Sequence, residues 1–326
     1  MCRGNFLRSI PCLHSCAQAD NFKFSKIPYL SVTVYSLESS NGIAAQVARG
    51  LGDELVFVEK KVFPDGEIYV RVPSKPSGVA IVVSSTHPPQ ERRLLELLLT
   101  VEALSSYAQG SVIAVVPYLA YARQDKRFLE GEPISIKVVL KALEAAGASG
   151  LLAVDVHQPR VLSEWLSIPS KNVLPFEDIA GYLYGKVKNA VVLAPDMGAL
   201  ERARRVAELI GADFDYLVKE RDRVTGEVRV QPKSLEVNGR DVVIVDDIIS
   251  TGKTIALAAK SALAQGASSV TAVCTHAVMV QGALDLLYYS GVREVVATDT
   301  VPSPVSKISV APSVVRGLRE LLEDMI

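Results

Sequence analysis

The chain has 326 residues, 49% of them hydrophobic and 6% aromatic, with 35 Lys and Arg against 36 Asp and Glu. At about 100–200 residues per domain this length fits about two domains with aliphatic cores, and the net charge of −1 without a long basic block makes the chain a poor candidate for general nucleic-acid binding. Four cysteines, three of them within the first sixteen residues, exclude a disulfide scaffold and suit a reducing cytoplasm, and the lack of any long uninterrupted apolar window excludes a transmembrane helix.

Residues 1–31 read as an N-terminal extension. Cys2, Cys12, His14 and Cys16 fall there with no period of a helix or a strand, and Arg8, Pro11 and His14 interrupt any signal-peptide core. The Cys12, His14 and Cys16 spacing matches no common zinc pattern, so a loosely ordered extension is preferred to a metal site.

From Val32 onward, short Val-rich runs alternate with helical patterns. The runs are Val79–Ser84, Val112–Val116, Leu151–Val156, Ala190–Ala194, Asp241–Val245, Ser269–Cys274 and Glu294–Ala297. Their continuous apolar character predicts strands buried on both faces. Between them, Glu91–Ala108, Ile134–Ala146, Gly198–Ile210, Thr254–Ala264 and Gln281–Tyr289 carry helical spacing, several with a glycine just beyond the end. The alternation predicts two doubly wound, mostly parallel α/β domains, 32–170 and 171–326, with the last helix packing back on the first. Pro169 and Pro175 interrupt the pattern near the boundary.

Asp155, Asp196, the pair Asp246–Asp247, and Asp299 follow predicted strands, and His157 stands two residues beyond Asp155. Ligands of open α/β sheets bind beyond the C-terminal strand ends, so these groups point to a site for a hydroxylated substrate and a divalent metal. An aspartate in that place also opens turns and caps helices, and several together outweigh that reading. The segment 242–254 is the most specific. Gly252, Ser250, Thr251 and Thr254 build a strand–turn–helix whose first amides make a phosphate cradle. A Walker A loop would need glycine where Asp247 stands. Two carboxylates before a cradle repel a triphosphate and suit the hydroxyls of a sugar monophosphate.

The run Asp246-Asp-Ile-Ile-Ser-Thr-Gly-Lys-Thr254 resembles the phosphoribosyl diphosphate loop of the type I phosphoribosyltransferase fold. Phe63–Glu67, Tyr121–Asp125, Asp155-Val-His157, Pro195–Gly198 and Lys219-Glu-Arg221 narrow the resemblance to ribose-phosphate diphosphokinases, across Val32–Ile326 and closest to the shorter archaeal-type members. The resemblance implies transfer of the β,γ-diphosphoryl group of ATP to ribose 5-phosphate with Mg²⁺ as cofactor. Phe63, Asp65 and Glu67 would contact adenine bound to a neighbouring subunit, which implies a homodimer or larger homo-oligomer. Arg123 and Gln124 would bind ATP, and His157 and Asp196 the metal. Asp246, Asp247, Ser250, Thr251, Gly252, Lys253 and Thr254 would bind ribose 5-phosphate. Lys219 and Arg221 would close a catalytic loop over the transferring group. No nucleic acid and no membrane enter as partners.

Two departures from the family pattern stand out. Ser250 replaces a frequent Asp and Lys253 a small residue, which makes the loop more attractive to phosphate. Gln158–Trp165 replaces a Gln- and Phe-rich stretch that carries subunit contacts and phosphate sensing in many relatives. The alternatives are a nucleobase phosphoribosyltransferase, which would not need Phe63–Glu67 or a second domain, and a non-catalytic paralogue, which would be expected to lose Lys219 and Arg221.

Overall fold

The computed structural model describes residues 31–107, 110–217, 219–221, 228–230 and 235–325. Cys2, Cys12, His14 and Cys16, and with them the question of metal binding there, lie outside the described residues. The first half runs β1 (Val32–Ser36), α1 (Ile43–Leu51), β2 (Glu54–Phe57), β3 (Glu59–Val62), β4 (Ile68–Arg71), β5 (Val79–Val83), α2 (Gln90–Tyr107), β6 (Val112–Val116), α3 (Ser135–Ala145), β7 (Gly150–Val154), α4 (Arg160–Trp165) and β8 (Ser170–Val173). The second runs α5 (Phe176–Leu183), β9 (Val191–Ala194), α6 (Leu200–Ile210), β10 (Asp213–Tyr216), β11 (Lys219–Arg221), β12 (Val228–Val230), β13 (Asp241–Ile249), α7 (Lys253–Ala264), β14 (Ser269–Ala277), α8 (Ala283–Tyr289), β15 (Glu294–Thr298), β16 (Ser306–Ile308) and α9 (Ala311–Glu323).

These strands form two six-stranded sheets, β2-β1-β5-β6-β7-β8 and β10-β9-β13-β14-β15-β16, parallel throughout. The order is the same in both halves once two antiparallel ribbons, β3-β4 and β11-β12, are set aside. Each ribbon is inserted at the same place, after the sheet's edge strand. The two halves are thus structural repeats, which the sequence alone leaves open.

Alternation along each strand explains the layering. Tyr35, Val82, Ala114 and Leu151 face α2 and α3, whereas Val34, Ile81, Ile113 and Leu152 face α1 and α9. In the second sheet Ile244, Ala272 and Val295 face α7, and Val243, Val273 and Val296 face α5 and α6. Helices on both faces leave these strands no wet side, and continuous apolar runs follow.

The sheet changeover departs from the expected boundary at residue 170. Residues 170–173 form β8, paired with β7 of the first sheet. Pro169 and Pro175 flank a short edge strand, a position that tolerates proline, rather than marking a linker. The C-terminal α9 crosses back and covers the first sheet beside α1. Its buried Val314, Leu318, Leu321 and Leu322 each contribute about 1.5–3 kcal/mol. The exposed Lys171–Glu320 ion pair adds at most about 1 kcal/mol. Packing therefore decides the crossing.

Gly317 permits it. A Cβ there would lie 2.4 Å from Val173 Cγ2 and 3.1 Å from Leu152 Cδ1. Alanine gains about 1 kcal/mol in helix propensity, but overpacking against a buried β-branched side chain costs about 1–3 kcal/mol. Gly317→Val, with a larger clash and a smaller propensity gain, is expected to lower stability by about 2 kcal/mol. A urea midpoint equal to that of the parent would show that α9 does not pack this closely.

Candidate active site

The C-terminal ends of the first sheet's central strands meet those of the second. Ser85, beyond β5, donates its hydroxyl to the Thr300 carbonyl beyond β15 at 2.5 Å. His157, beyond β7, bonds through Nδ1 to Asp247 Oδ2 of β13 at 2.7 Å. Two adjoining clefts open along this seam, of about 290 and 430 Å³. They share Arg123, His157, Ile248 and Ser250.

The smaller cleft lies on the second sheet. β13 runs to Ile249, farther than the expected Val245, because β14 is also long and pairs with it to Ala277. Asp246 and Asp247 therefore sit inside a strand, where neighbouring side chains leave on opposite faces. Each accepts the following backbone N–H, at 3.0 and 2.8 Å. Burial pushes the Asp246 carboxyl well up, and the charge of Asp247 adds to it. Burial also acts upward on Asp247, but the His157 hydrogen bond and the Arg202 charge outweigh it and hold that carboxyl well below the usual range. The same hydrogen bond lifts the His157 imidazole above its ordinary value, against burial. The pair is thus a polarised His–carboxylate contact beside a more readily protonated carboxyl.

At the end of β13 the chain turns into α7. Gly252 is the N-cap, with φ +74° and no side chain to cap the helix, so apart from a long Lys253 N–H to Thr251 Oγ1 contact of 3.5 Å the first amides stay open to an anion. A Cβ there would lie 3.2 Å from the Ala283 carbonyl in a conformation that side chains rarely adopt. Ser250, Thr251 and Thr254 line the cleft, as Asp246 and Asp247 do. Lys253 is exposed and is not part of the lining. Asp196 enters from the end of β9, its Oδ1 accepting the Gly198 amide at 3.0 Å.

The larger cleft lies on the first sheet. Tyr118, Tyr121, Gln90, Glu91 and Gln124 line it. Gln124 Oε1 accepts the Ser135 hydroxyl at 3.0 Å, and Tyr121 donates to Glu91 at 3.0 Å. Arg123 stands at the junction with the smaller cleft, placed to bridge ligands in both.

The structure thus brings together Arg123, Gln124, His157, Asp196, Asp246, Asp247, Ser250, Thr251, Gly252 and Thr254. It sets Phe63, Asp65 and Glu67 elsewhere, at the β3-β4 turn and in neither cleft of their own chain. The backbone of Lys219 and Arg221 forms β11, and their side chains lie outside what is described. Asp155 borders the larger cleft with its carboxylate engaged, and Asp299 lines neither cleft. Asp155 is buried against Arg202, and Asp299 accepts the Val310 amide at 2.9 Å ahead of α9. Sequence reasoning missed Arg202, Thr275 and His276. No pattern separates Arg202 from the neighbouring Arg204 and Arg205, which pair with Glu201 and Glu208 on the helix surface.

Among the described residues no group of three or more His, Cys, Asp or Glu side chains makes a closed cation cage. Mg²⁺ commonly takes one or two carboxylates, water and substrate phosphates. The carboxylates of Asp196, Asp246 and Asp247 around an open cleft fit such a partial oxygen donor set. His157 has Nδ1 engaged, which leaves Nε2. No helix among the described residues is long and apolar enough to cross a membrane.

Comparisons with known proteins agree with this architecture. Residues 32–147 match the family model for the N-terminal domain of ribose phosphate pyrophosphokinase, and residues 172–306 that of the phosphoribosyl transferase domain. The ribose-phosphate pyrophosphokinase of Sulfurisphaera tokodaii is 44% identical over 285 residues, covering 86% of this chain and 98% of that one. That of Methanopyrus kandleri is 42% identical over 290 residues, covering 87% and 98%. The crystal structure of phosphoribosylpyrophosphate synthetase from Mycobacterium smegmatis superposes with a TM-score of 0.77 at 28% identity, over 90% of this chain and 99% of that one.

Proposed function

The chain belongs to the ribose-phosphate pyrophosphokinase family, and we propose that its paired clefts divide that family's two substrates between them. The reaction moves the β,γ-diphosphoryl group of ATP to the C1 hydroxyl of ribose 5-phosphate. The C1 oxygen bonds to the β-phosphorus, the bond from that phosphorus to the α,β-bridging oxygen breaks, and the hydroxyl proton is released. The products are AMP and 5-phosphoribosyl 1-diphosphate, a precursor for nucleotide biosynthesis.

The shared wall of the two clefts carries this reading. Ribose 5-phosphate takes the smaller one, its phosphate on the open amides of α7 with Ser250, Thr251 and Thr254, and its hydroxyls on Asp246 and Asp247. Lys253 adds positive charge from outside the cleft wall. ATP takes the larger one, its phosphates toward Arg123 and Gln124. Asp196 and His157 would hold Mg²⁺, which when bound neutralises phosphate charge. Binding two reactants in adjoining clefts removes the entropic cost of their encounter, and the cationic groups stabilise charge that develops during transfer. Lys219 and Arg221 close on the diphosphoryl group and exclude water, which limits ATP hydrolysis. A homo-oligomer in the cytoplasm completes the adenine site with Phe63, Asp65 and Glu67 of a neighbour.

The test is AMP formation from MgATP with and without ribose 5-phosphate. AMP is expected only with the sugar phosphate and in equal amount to 5-phosphoribosyl 1-diphosphate. AMP formed equally without the sugar, or none with it, would overturn the reading.

A further inference from the structure

Where the two clefts adjoin, Arg202 in the wall of the smaller and Asp155 in that of the larger form a buried ion pair between the two halves. Asp155 is 1% exposed. Its carboxylate accepts both arms of the Arg202 guanidinium, Nη2 at 2.7 Å and Nε at 3.3 Å, and also the Thr275 hydroxyl. Arg202 belongs to α6 and Thr275 to β14, both of the second half. The Asp155 carbonyl lies 3.3 Å from Nε2 of the buried His276, whose Nδ1 is hydrogen-bonded with the Thr300 hydroxyl at 2.8 Å. The Asp155 amide donates to the Val173 carbonyl of β8 at 2.8 Å. Every polar direction of this residue is thus tied.

Asp155 also has φ +44°, in the left-handed region. Such a conformation persists in a non-glycine residue only where the surroundings impose it. Here it turns the chain out of β7 so that His157, two residues later, meets Asp247 across the seam. A buried ion pair is a poor source of stability, because desolvation of both charges offsets most of their attraction. A forked, two-bond contact nevertheless fixes direction as well as distance.

We propose that Asp155 and Arg202 are positioning residues of the diphosphoryl transfer: their contact locks the first half's His157 and nucleotide-side cleft in register with the second half's Asp247 and ribose-phosphate-side cleft. Neither residue need touch the reacting atoms. The inference rests on the reaction proposed above. It adds to it that the register of the two halves, and not only the cleft lining, limits turnover.

The test compares Asp155→Asn, Arg202→Gln and the double variant Asp155→Asn/Arg202→Gln for kcat and for KM of both substrates. A displacement of about 1 Å between reacting groups lowers rate about 100-fold. Each single variant is expected to lose kcat by about that factor with KM values within about threefold of the parent. The double variant is expected to lose no more than the worse single one, because the two residues act as one unit. A raised KM for ribose 5-phosphate with kcat retained would make Arg202 a substrate contact and overturn the inference, as would losses that multiply in the double variant. Thr275→Val removes only one hydrogen bond to Asp155, and about a tenfold fall in kcat is expected. If the charge variants fail to fold, that variant decides, and parental kcat overturns the inference. A parent chain that forms no AMP with ribose 5-phosphate sinks the reaction and this inference with it, whereas an active parent with variants that behave otherwise sinks the inference alone.

Discussion

Replacing Lys219 by alanine is expected to lower turnover about a thousandfold while leaving thermal stability almost unchanged. Transfer of a diphosphoryl group spreads negative charge over oxygens that the ground state does not charge in the same way. A cation that meets them only in the transition state is worth about 10²–10⁵ in rate. Lys219 and Arg221 are the first and last residues of β11. The β11-β12 ribbon pairs Lys219 with Val230 and Arg221 with Val228, apart from both six-stranded sheets. Little core stability depends on it. The expected signature is a fall in kcat and kcat/KM together, with KM for ATP and ribose 5-phosphate little changed. Steady-state kinetics beside a thermal melt reads both. An unchanged kcat removes Lys219 from the mechanism, and a collapsed melt with the same loss in rate reassigns it to the fold.

The repeat gives this ribbon a counterpart. In the first half, β1, α1 and β2 lead to the β3-β4 hairpin and then β5. In the second, β9, α6 and β10 lead to β11-β12 and then β13. One architecture thus carries two antiparallel ribbons, one with Phe63–Glu67 at its turn and one with Lys219 and Arg221 on a strand. The cleft lining is divided in the same manner, with Arg123 and Gln124 from the first half and Asp246–Gly252 and Thr254 from the second.

The central strands and their helices were legible in the sequence because burial on both faces demands unbroken runs such as Val112–Val116, which is β6 to the residue. The edge strands β8, β10 and β16 were not. Each borders the sheet on one side only and carries polar residues, as in Asp213–Tyr216, that read as loop. Within the site, Asp246–Thr254 announced itself because a strand, two carboxylates and a glycine turn have few other uses in that order. Asp155 was visible as a strand-end acid, but its role was not. Its partners Arg202, Thr275 and His276 lie 47, 120 and 121 residues away in chain order. Only the meeting of the two sheets brings them together, and no local pattern encodes it.

Mixing two inactive chains is expected to restore activity. Phe63 is 47% exposed at the β3-β4 turn, edge-on to Tyr69 with ring centroids 6.2 Å apart. The turn is closed by Phe63 N–H to the Glu67 carbonyl at 2.8 Å and Glu67 N–H to Asp65 Oδ1 at 3.2 Å. The hairpin does not swing freely. Lys60 of β3 pairs with the buried Glu96 of α2 at 3.3 Å and with Glu38, and Arg92 and Arg93 also pair with Glu96. A rigid hairpin whose tip lines neither cleft of its own chain is suited to finish the cleft of a neighbour. Under that arrangement Phe63→Ala spoils only the partner's adenine site, and Lys219→Ala spoils only its own catalytic ribbon. In a mixed dimer one composite site keeps both residues. Random pairing of equal amounts makes half the dimers mixed, each with one intact site, so about a quarter of the parental activity should return. Differently tagged chains, co-expressed and purified as mixed oligomers, give the measurement. Verified mixed oligomers as inactive as either variant alone would mean that Phe63 and Lys219 of one chain serve the same site, and would overturn the sharing.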